Sequence, residues 1–222
     1  MVHSLFTSDN YTFFELLMYY LGATFWVITY ILVVRKIIVY KSVEFPVIVI
    51  CANVPWEFLW GFVFKLDFGG PYLLWFWRFG NFLDMFMLYS ALRYGAAQFS
   101  SALVQKHFRP FALGAVAMFA ILNYFYTKAG YDLAMGFNSA MILNVLQSAL
   151  CIQMVLNLPN QKFSFSIGLA RMIATDVCFT AYIVSHSPQA YFPIAMCIIC
   201  FILDGFYLYL VNRQNKLNAV HA

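Results

Sequence analysis

Apolar residues in this chain gather into long runs separated by short polar and turn-forming clusters. The runs fall near residues 13–34, 43–64, 72–92, 110–127, 133–156, 167–184 and 190–211, each close to the ~20 residues that cross a bilayer as a helix. Between them stand Arg35-Lys36 with Lys41, Asp67 to Pro71, Arg93 to Pro110, Lys128 to Asp132, Asn157 to Lys162, and Ser185 to Pro188, all carrying turn or charge signals. The pattern predicts an all-α membrane protein, a seven-transmembrane-helix bundle. Spans of this length leave only short loops, so residues 1–222 are expected to form a single integral membrane domain.

Loop charge tests the count, because Lys and Arg collect on the cytoplasmic side. With alternating spans, Arg35, Lys36, Lys41, Arg93, Lys106, Arg109, Lys162, Arg213 and Lys216 fall on one side. Lys65 and Lys128 fall on the other. An odd number of spans with a cytoplasmic C-terminus fits this split. The first run follows Asp9 and includes Glu15; it lacks the basic leader and small-residue cleavage site of a signal peptide and is expected to be a retained helix.

Composition narrows the function classes. The chain is 64% hydrophobic and 10% charged, far from the ~25% charge of a soluble domain. The net charge of +4 comes from basic residues scattered singly between apolar runs, not from a dense patch, so nucleic acid is not an expected partner. Cys51, Cys151, Cys178, Cys197 and Cys200 all lie within apolar runs, where a thiol packs as a small hydrophobe. Cys197 and Cys200 have redox-motif spacing, but within a span and not at an exposed helix start. Aromatic residues make up 20% of the chain, and many lie mid-span, beyond what interfacial belts require.

An ionisable side chain in hydrocarbon is costly unless it faces a cavity or a partner, which makes each one a functional hypothesis. Glu57, Arg78, Asp84, Asp176 and Asp204 stand out; an ion-pair network that fixes helix packing is the plainer alternative for them. Glu57 lies in Asn53-Val54-Pro55-Trp56-Glu57, with Asn53 one turn earlier on nearly the same face and able to orient the carboxyl. Pro55 should kink the helix and open room beside it, with Trp56 and Trp60 nearby. Asp204 sits between Phe201 and Tyr207. In the third run Arg78, Asn81 and Asp84 form an oblique row, a possible partner surface for one of these acids. Arg171 and Thr175 share a face in the sixth run, with Asp176 adjacent. Asn144, Gln147, Ser148 and Cys151 make a polar stripe in the fifth. These features describe an apolar cavity with a few polar groups. A buried carboxyl favours its neutral form, as a general acid requires, and aromatic faces attract cations; an apolar substrate that becomes a carbocation suits such a pocket.

The Asn53-x-x-Trp56-Glu57 segment and the Leu203-Asp204 pair, together with length and span layout, resemble the membrane-bound terpene cyclases of fungal meroterpenoid and indole-diterpene biosynthesis and their bacterial relatives. The resemblance covers essentially the whole chain. It implies protonation of the terminal alkene or epoxide of a prenyl chain, cyclisation through carbocations, and quenching by proton loss or by a nucleophile. It implies no metal or organic cofactor, and no D-D-x-x-D motif occurs. The expected partners are a prenylated small molecule and membrane lipid. Carried over to these positions, Glu57 becomes the leading general acid and Asp204 the second catalytic carboxyl. Trp56, Trp60, Trp77, Phe201 and Tyr207 are expected to line the pocket, with Asn53, Arg78, Asn81, Asp84 and Asn144 as its polar groups.

The main rival is a seven-helix small-solute transporter. Pro188-Gln189 matches a dipeptide found in one such group, but it falls in a loop and has no counterpart in the first half. An assembly factor would tolerate amides in place of Glu57 and Asp204. A retinal protein would need a lysine in the last span, and residues 190–211 contain none.

Overall fold

The computed structural model describes residues 11–64, 70–133, 136–159 and 161–220. Asp9, Lys65 and Asp67, used above in reading the terminus and a loop, lie outside the described residues. All regular structure among the described residues is helical.

Helix α1 (Phe13–Tyr40) opens on a capping box. Thr12 Oγ1 accepts from the Glu15 N–H at 3.3 Å, and Glu15 Oε2 accepts from the Thr12 N–H at 2.6 Å, which satisfies donors the first turn would otherwise orphan. It stops at Lys41, whose left-handed backbone (φ 53°) lets its N–H return to the Ile37 carbonyl at 2.9 Å. Tyr19, Gly22, Tyr30, Val33 and Ile37 face inward, while Phe13, Leu17, Ile28 and Ile31 are exposed. Large apolar side chains turned outward suit a face solvated by lipid.

Helix α2 (Val47–Phe58) contains Pro55, which cannot donate to the carbonyl one turn back. The chain continues in a π-helical segment, Leu59–Val63. After α3 (Gly70–Tyr94) come a 3₁₀ turn (Gly95–Gln98) and the short α4 (Ala102–Lys106), occupying much of the stretch expected to be loop. Then follow α5 (Phe108–Lys128) and α6 (Phe137–Asn157). Helix α7 (Phe165–Met172) passes through a second π segment (Ile173–Phe179) into α8 (Thr180–His186), and α9 (Tyr191–Val220) is last.

Among the described residues, five helical passages are long and apolar enough to cross a membrane: Phe13–Tyr40, Phe108–Lys128, Phe137–Asn157, Phe165–His186 and Tyr191–Asn218. Val47–Val63 is apolar but shorter, about 25 Å at ~1.5 Å per residue against ~30 Å of hydrocarbon. Helix α3 has the length but carries Arg78, Asn81, Asp84 and Arg93.

Packing closes most of these helices into a ring. Helix α1 contacts α3 on one side and α7 with its π segment on the other; α7 contacts α9, α9 contacts α6, α6 contacts α2, and α2 returns to α3. Helix α5 lies outside the ring against α2. One end is tied by polar contacts: Lys36 pairs with Glu44 and donates to the Lys162 carbonyl at 2.7 Å, while Glu44 accepts from the Ser164 N–H at 3.2 Å. The five cysteines are buried free thiols, consistent with packing.

Candidate active site

Inside the ring is a cavity of about 130 Å³, lined by α1, α2, α3, α6 and the end of the second π segment. Tyr30, Asn53 and Glu57, joined by hydrogen bonds, form one part of its wall, and Asn144 also lines it. Tyr19, Phe137 and Phe179 pack ring against ring in another part, and Trp26, Trp56, Phe76 and Trp77 complete much of the rest. A few polar groups thus face a largely aromatic chamber.

Glu57 is brought there by the turn of α2 that follows Pro55. The Tyr30 hydroxyl donates to Glu57 Oε1 at 2.9 Å, whereas Oε2 has no hydrogen-bond partner. Asn53 acts one step removed: its Nδ2 donates to the Tyr30 oxygen at 3.5 Å instead of reaching the carboxyl, as the one-turn spacing suggested. Helix α3 comes close enough to Glu57 only because residue 80 is glycine, since a Cβ there would run into the carboxylate oxygens. Asp84, one turn beyond Gly80, is fully buried, and neither carboxyl oxygen has a hydrogen-bond partner. No ion pair among the described residues reaches Glu57 or Asp84.

Trp56, Trp60 and Trp77 form a triangle with centroids 6.3–6.5 Å apart; Trp56 and Trp77 face the cavity, while Trp60 packs behind them. The Trp56 indole N–H donates to Ser139 Oγ at 2.8 Å, and Ser139 in turn donates to Asp132 Oδ2. Asp132 also caps the start of α6, its Oδ1 accepting from the Asn138 and Ser139 N–H groups at 2.9 and 3.2 Å. Burial raises the pKa of Asp132 above the ordinary carboxylate value, and the hydrogen bonds from Ser139 and Asn138 work against that rise.

Asp204 occupies different surroundings. The Arg171 guanidinium grips it in a fork, with Nε donating to Oδ2 at 3.1 Å and Nη2 to Oδ1. Arg171 Nη1 donates to Cys151 Sγ at 3.0 Å, and the guanidinium lies 5.2 Å from the Tyr207 ring centre. Asp176, in the second π segment, is buried nearby with both oxygens unpartnered. Neither Asp204 nor Tyr207 lines the cavity, and Phe201 is 52% exposed on the outer face.

The row in α3 disperses. Arg78 Nε donates to the Gly61 carbonyl at 3.1 Å, with its guanidinium near Phe62 and Trp75. Asn81 Nδ2 donates to the Val54 carbonyl at 3.1 Å and joins α3 to α2. The structure therefore brings together Asn53, Trp56, Glu57, Trp77 and Asn144 of the expected residues. It adds Tyr30, Gly80, Ser139 and Asp132, which the sequence reading passed over. A tyrosine mid-run in α1 was the available signal for Tyr30. Among the described residues, no group of three His, Cys, Asp or Glu side chains is placed to hold a metal ion.

No curated protein and no solved structure matches this chain. Its sequence does match, over residues 8–215, the family model of the Pyr4-like transmembrane terpene cyclases. The match covers nearly all of the chain and agrees with its long apolar helices, and the protein belongs to the Pyr4-like transmembrane terpene cyclases.

Proposed function

We propose that Glu57 starts the reaction by protonating the terminal alkene or epoxide of a prenyl chain whose end rests against its carboxyl. The observation that supports this most directly is the asymmetry of the carboxyl. Oε1 is held by Tyr30 while Oε2 is unpartnered, in a residue that lines the aromatic chamber. A proton on Oε2 is held by no other group, and the Tyr30 hydroxyl is placed to stabilise the carboxylate left after its transfer to carbon. With an alkene, the π electrons form the new C–H bond and leave a cation; with an epoxide, the proton goes to oxygen as the C–O bond opens. Further alkenes attack in turn, and loss of a proton or capture by a nucleophile on the substrate ends the sequence. The net change is isomerisation. The rings of Trp26, Trp56 and Trp77 offer faces that stabilise positive charge in a water-poor site.

Asp204 is assigned a supporting part. It acts through Arg171, fixing α7 against α9 and giving a counter-charge to a guanidinium that would otherwise be buried alone. The chain is a single membrane domain in which α1, α2, α3, α5, α6, the α7–α8 passage and α9 serve as seven spans with the C-terminus cytoplasmic. Contacts of α2 and α3 with spanning neighbours support their inclusion.

The test is to incubate membranes holding the protein with farnesyl- and geranylgeranyl-bearing acceptors, with and without terminal epoxides. Products of unchanged mass and shifted retention are expected, gaining one deuterium from heavy water in the alkene case, and lost in Glu57→Gln. Cyclised product at the wild-type rate from Glu57→Gln would overturn the assignment of the acid.

A further inference from the structure

Outside the acid itself, the most continuous polar connection into the cavity wall runs from Asp132 through Ser139 to Trp56. We propose that Asp132 and Ser139 are positioning residues for Trp56: a hydrogen-bonded relay that fixes the angle of this indole and enriches its ring electronically as the cation forms. The proposal rests on the cyclisation reading above, because it assigns the relay a role only if positive charge develops in the chamber.

Three observations carry it. First, the direction of the bonds is set by chemistry. An indole N–H can only donate, so the Ser139 oxygen that receives it at 2.8 Å must turn its own single hydrogen elsewhere. Two acceptors are in range, Asp132 Oδ2 and the Gly136 carbonyl at 3.0 Å. The carboxylate makes the closer contact and the charge-assisted bond. The chain therefore runs from indole N–H to hydroxyl to carboxyl, each bond polarising the next.

Second, the acceptor end is anchored. Asp132 Oδ1 is occupied by the Asn138 and Ser139 N–H groups at the start of α6, so Oδ2 cannot swing away without uncapping that helix. Third, the same turn presses on the tryptophans. Gly136 has φ +72°, and a Cβ there would meet the indoles of both Trp60 and Trp56. Trp56 is thus bounded by the Gly136 backbone and held edge-on to Trp77 at 83° while it lines the cavity.

A hydrogen bond drawn toward a carboxylate pulls the indole proton outward and leaves more electron density on the ring, which strengthens the attraction of its face for a cation. Trp56 immediately precedes Glu57 on α2 and both line the cavity, so on the cyclisation reading this ring shares the chamber in which charge first appears. A merely structural role for the relay would alter stability and leave the fate of the cation unchanged.

The experiment compares wild type, Ser139→Ala, Ser139→Thr, Asp132→Asn and Trp56→Phe in membranes with an accepted prenyl substrate. Ser139→Ala retains the backbone N–H that Asp132 caps. It is expected to lower kcat about tenfold with KM changed less than about twofold, and to shift products toward early-terminated, less cyclised isomers. Ser139→Thr should restore the wild-type product ratio, and Asp132→Asn should fall between. Adding Ser139→Ala to Trp56→Phe should cost nothing further, because the relay acts only through the indole N–H. Ultraviolet resonance Raman difference spectra against Trp56→Phe read the indole hydrogen bond without turnover, and Asp132→Asn should weaken it. An unchanged product ratio and kcat in Ser139→Ala, fully additive losses in the double variant, or an unmoved indole band would each overturn the relay. Absence of any cyclised product from wild type would instead overturn the cyclisation reading, and the spectra would still report whether the bond exists.

Discussion

Glu57 and Asp204 are both almost sealed from solvent, at 7% and 1% exposure, yet their surroundings are opposite. Glu57 has a neutral donor on one oxygen and no hydrogen-bond partner on the other, and it lines the cavity. Asp204 has a guanidinium across both oxygens and no cavity. Burial alone therefore does not mark a reactive acid. On the proposed reading, the carboxyl matched to a fixed positive charge serves packing, and the one matched to a phenol beside the cavity delivers the proton.

The comparison is open to attack at several points. The largest expected effect is Glu57→Gln, which keeps the acceptor for Tyr30 but removes the proton. Initial-rate assays should show a loss of about 10²–10⁴-fold, with an unchanged unfolding temperature. Asp204→Asn should act on stability, because it strands a buried guanidinium. Removing one partner of such a pair costs about 3–5 kcal/mol, read as a lower thermal midpoint in detergent. Replacing Arg171 and Asp204 together by apolar residues should recover part of it. An Asp204→Asn protein that is as stable as wild type and inactive would erase the distinction and make Asp204 a direct participant.

Tyr30→Phe removes the hydrogen bond to Glu57 Oε1. The carboxylate formed after proton transfer then loses a donor worth about 1.5–3 kcal/mol, so kcat should fall about ten- to a hundredfold with little change in KM. The smallest effects sharpen the contrast by pairing two glycines. A methyl at Gly80 meets the end of the Glu57 side chain, and Gly80→Ala should reduce turnover several-fold while leaving stability within about 1 kcal/mol. A methyl at Gly168 meets the Tyr207 ring and Leu208. Gly168→Ala should lower stability by about 1–3 kcal/mol, with activity per folded molecule retained.

Much of this was visible in the residues themselves. Apolar runs located the helices because backbone satisfaction in hydrocarbon permits little else. Glu57 stood out because a carboxyl in such a run has no bland explanation on a lipid face. Relations between helices were not visible. Arg78, Asn81 and Asp84 appeared to share a surface, but steps of three rotate by roughly 60° each relative to a full turn. Arg78 accordingly points to the Gly61 carbonyl while Asp84 is sealed inside. Tyr30 was hidden among other tyrosines of α1, since nothing local tells which faces α2. Asp132 looked like an ordinary turn residue; its hydrogen bond to Ser139 depends on how the chain folds back onto α6. Arg171 shared a stripe with Thr175 in the sequence, and its pairing with Asp204 joins residues 33 positions apart.

The placement of polarity along the cavity has a consequence for measurement of the substrate. On α1 the lining of the chamber runs from Tyr19 to Tyr30, about 16 Å along the axis at ~1.5 Å per residue. On the proposed reading, the terminal isoprene unit of a prenyl chain stops at the acid, so the protein gauges its substrate from the tail. Lengthening the chain then moves only the head group, and the site of first bond formation keeps its register whatever the head group is.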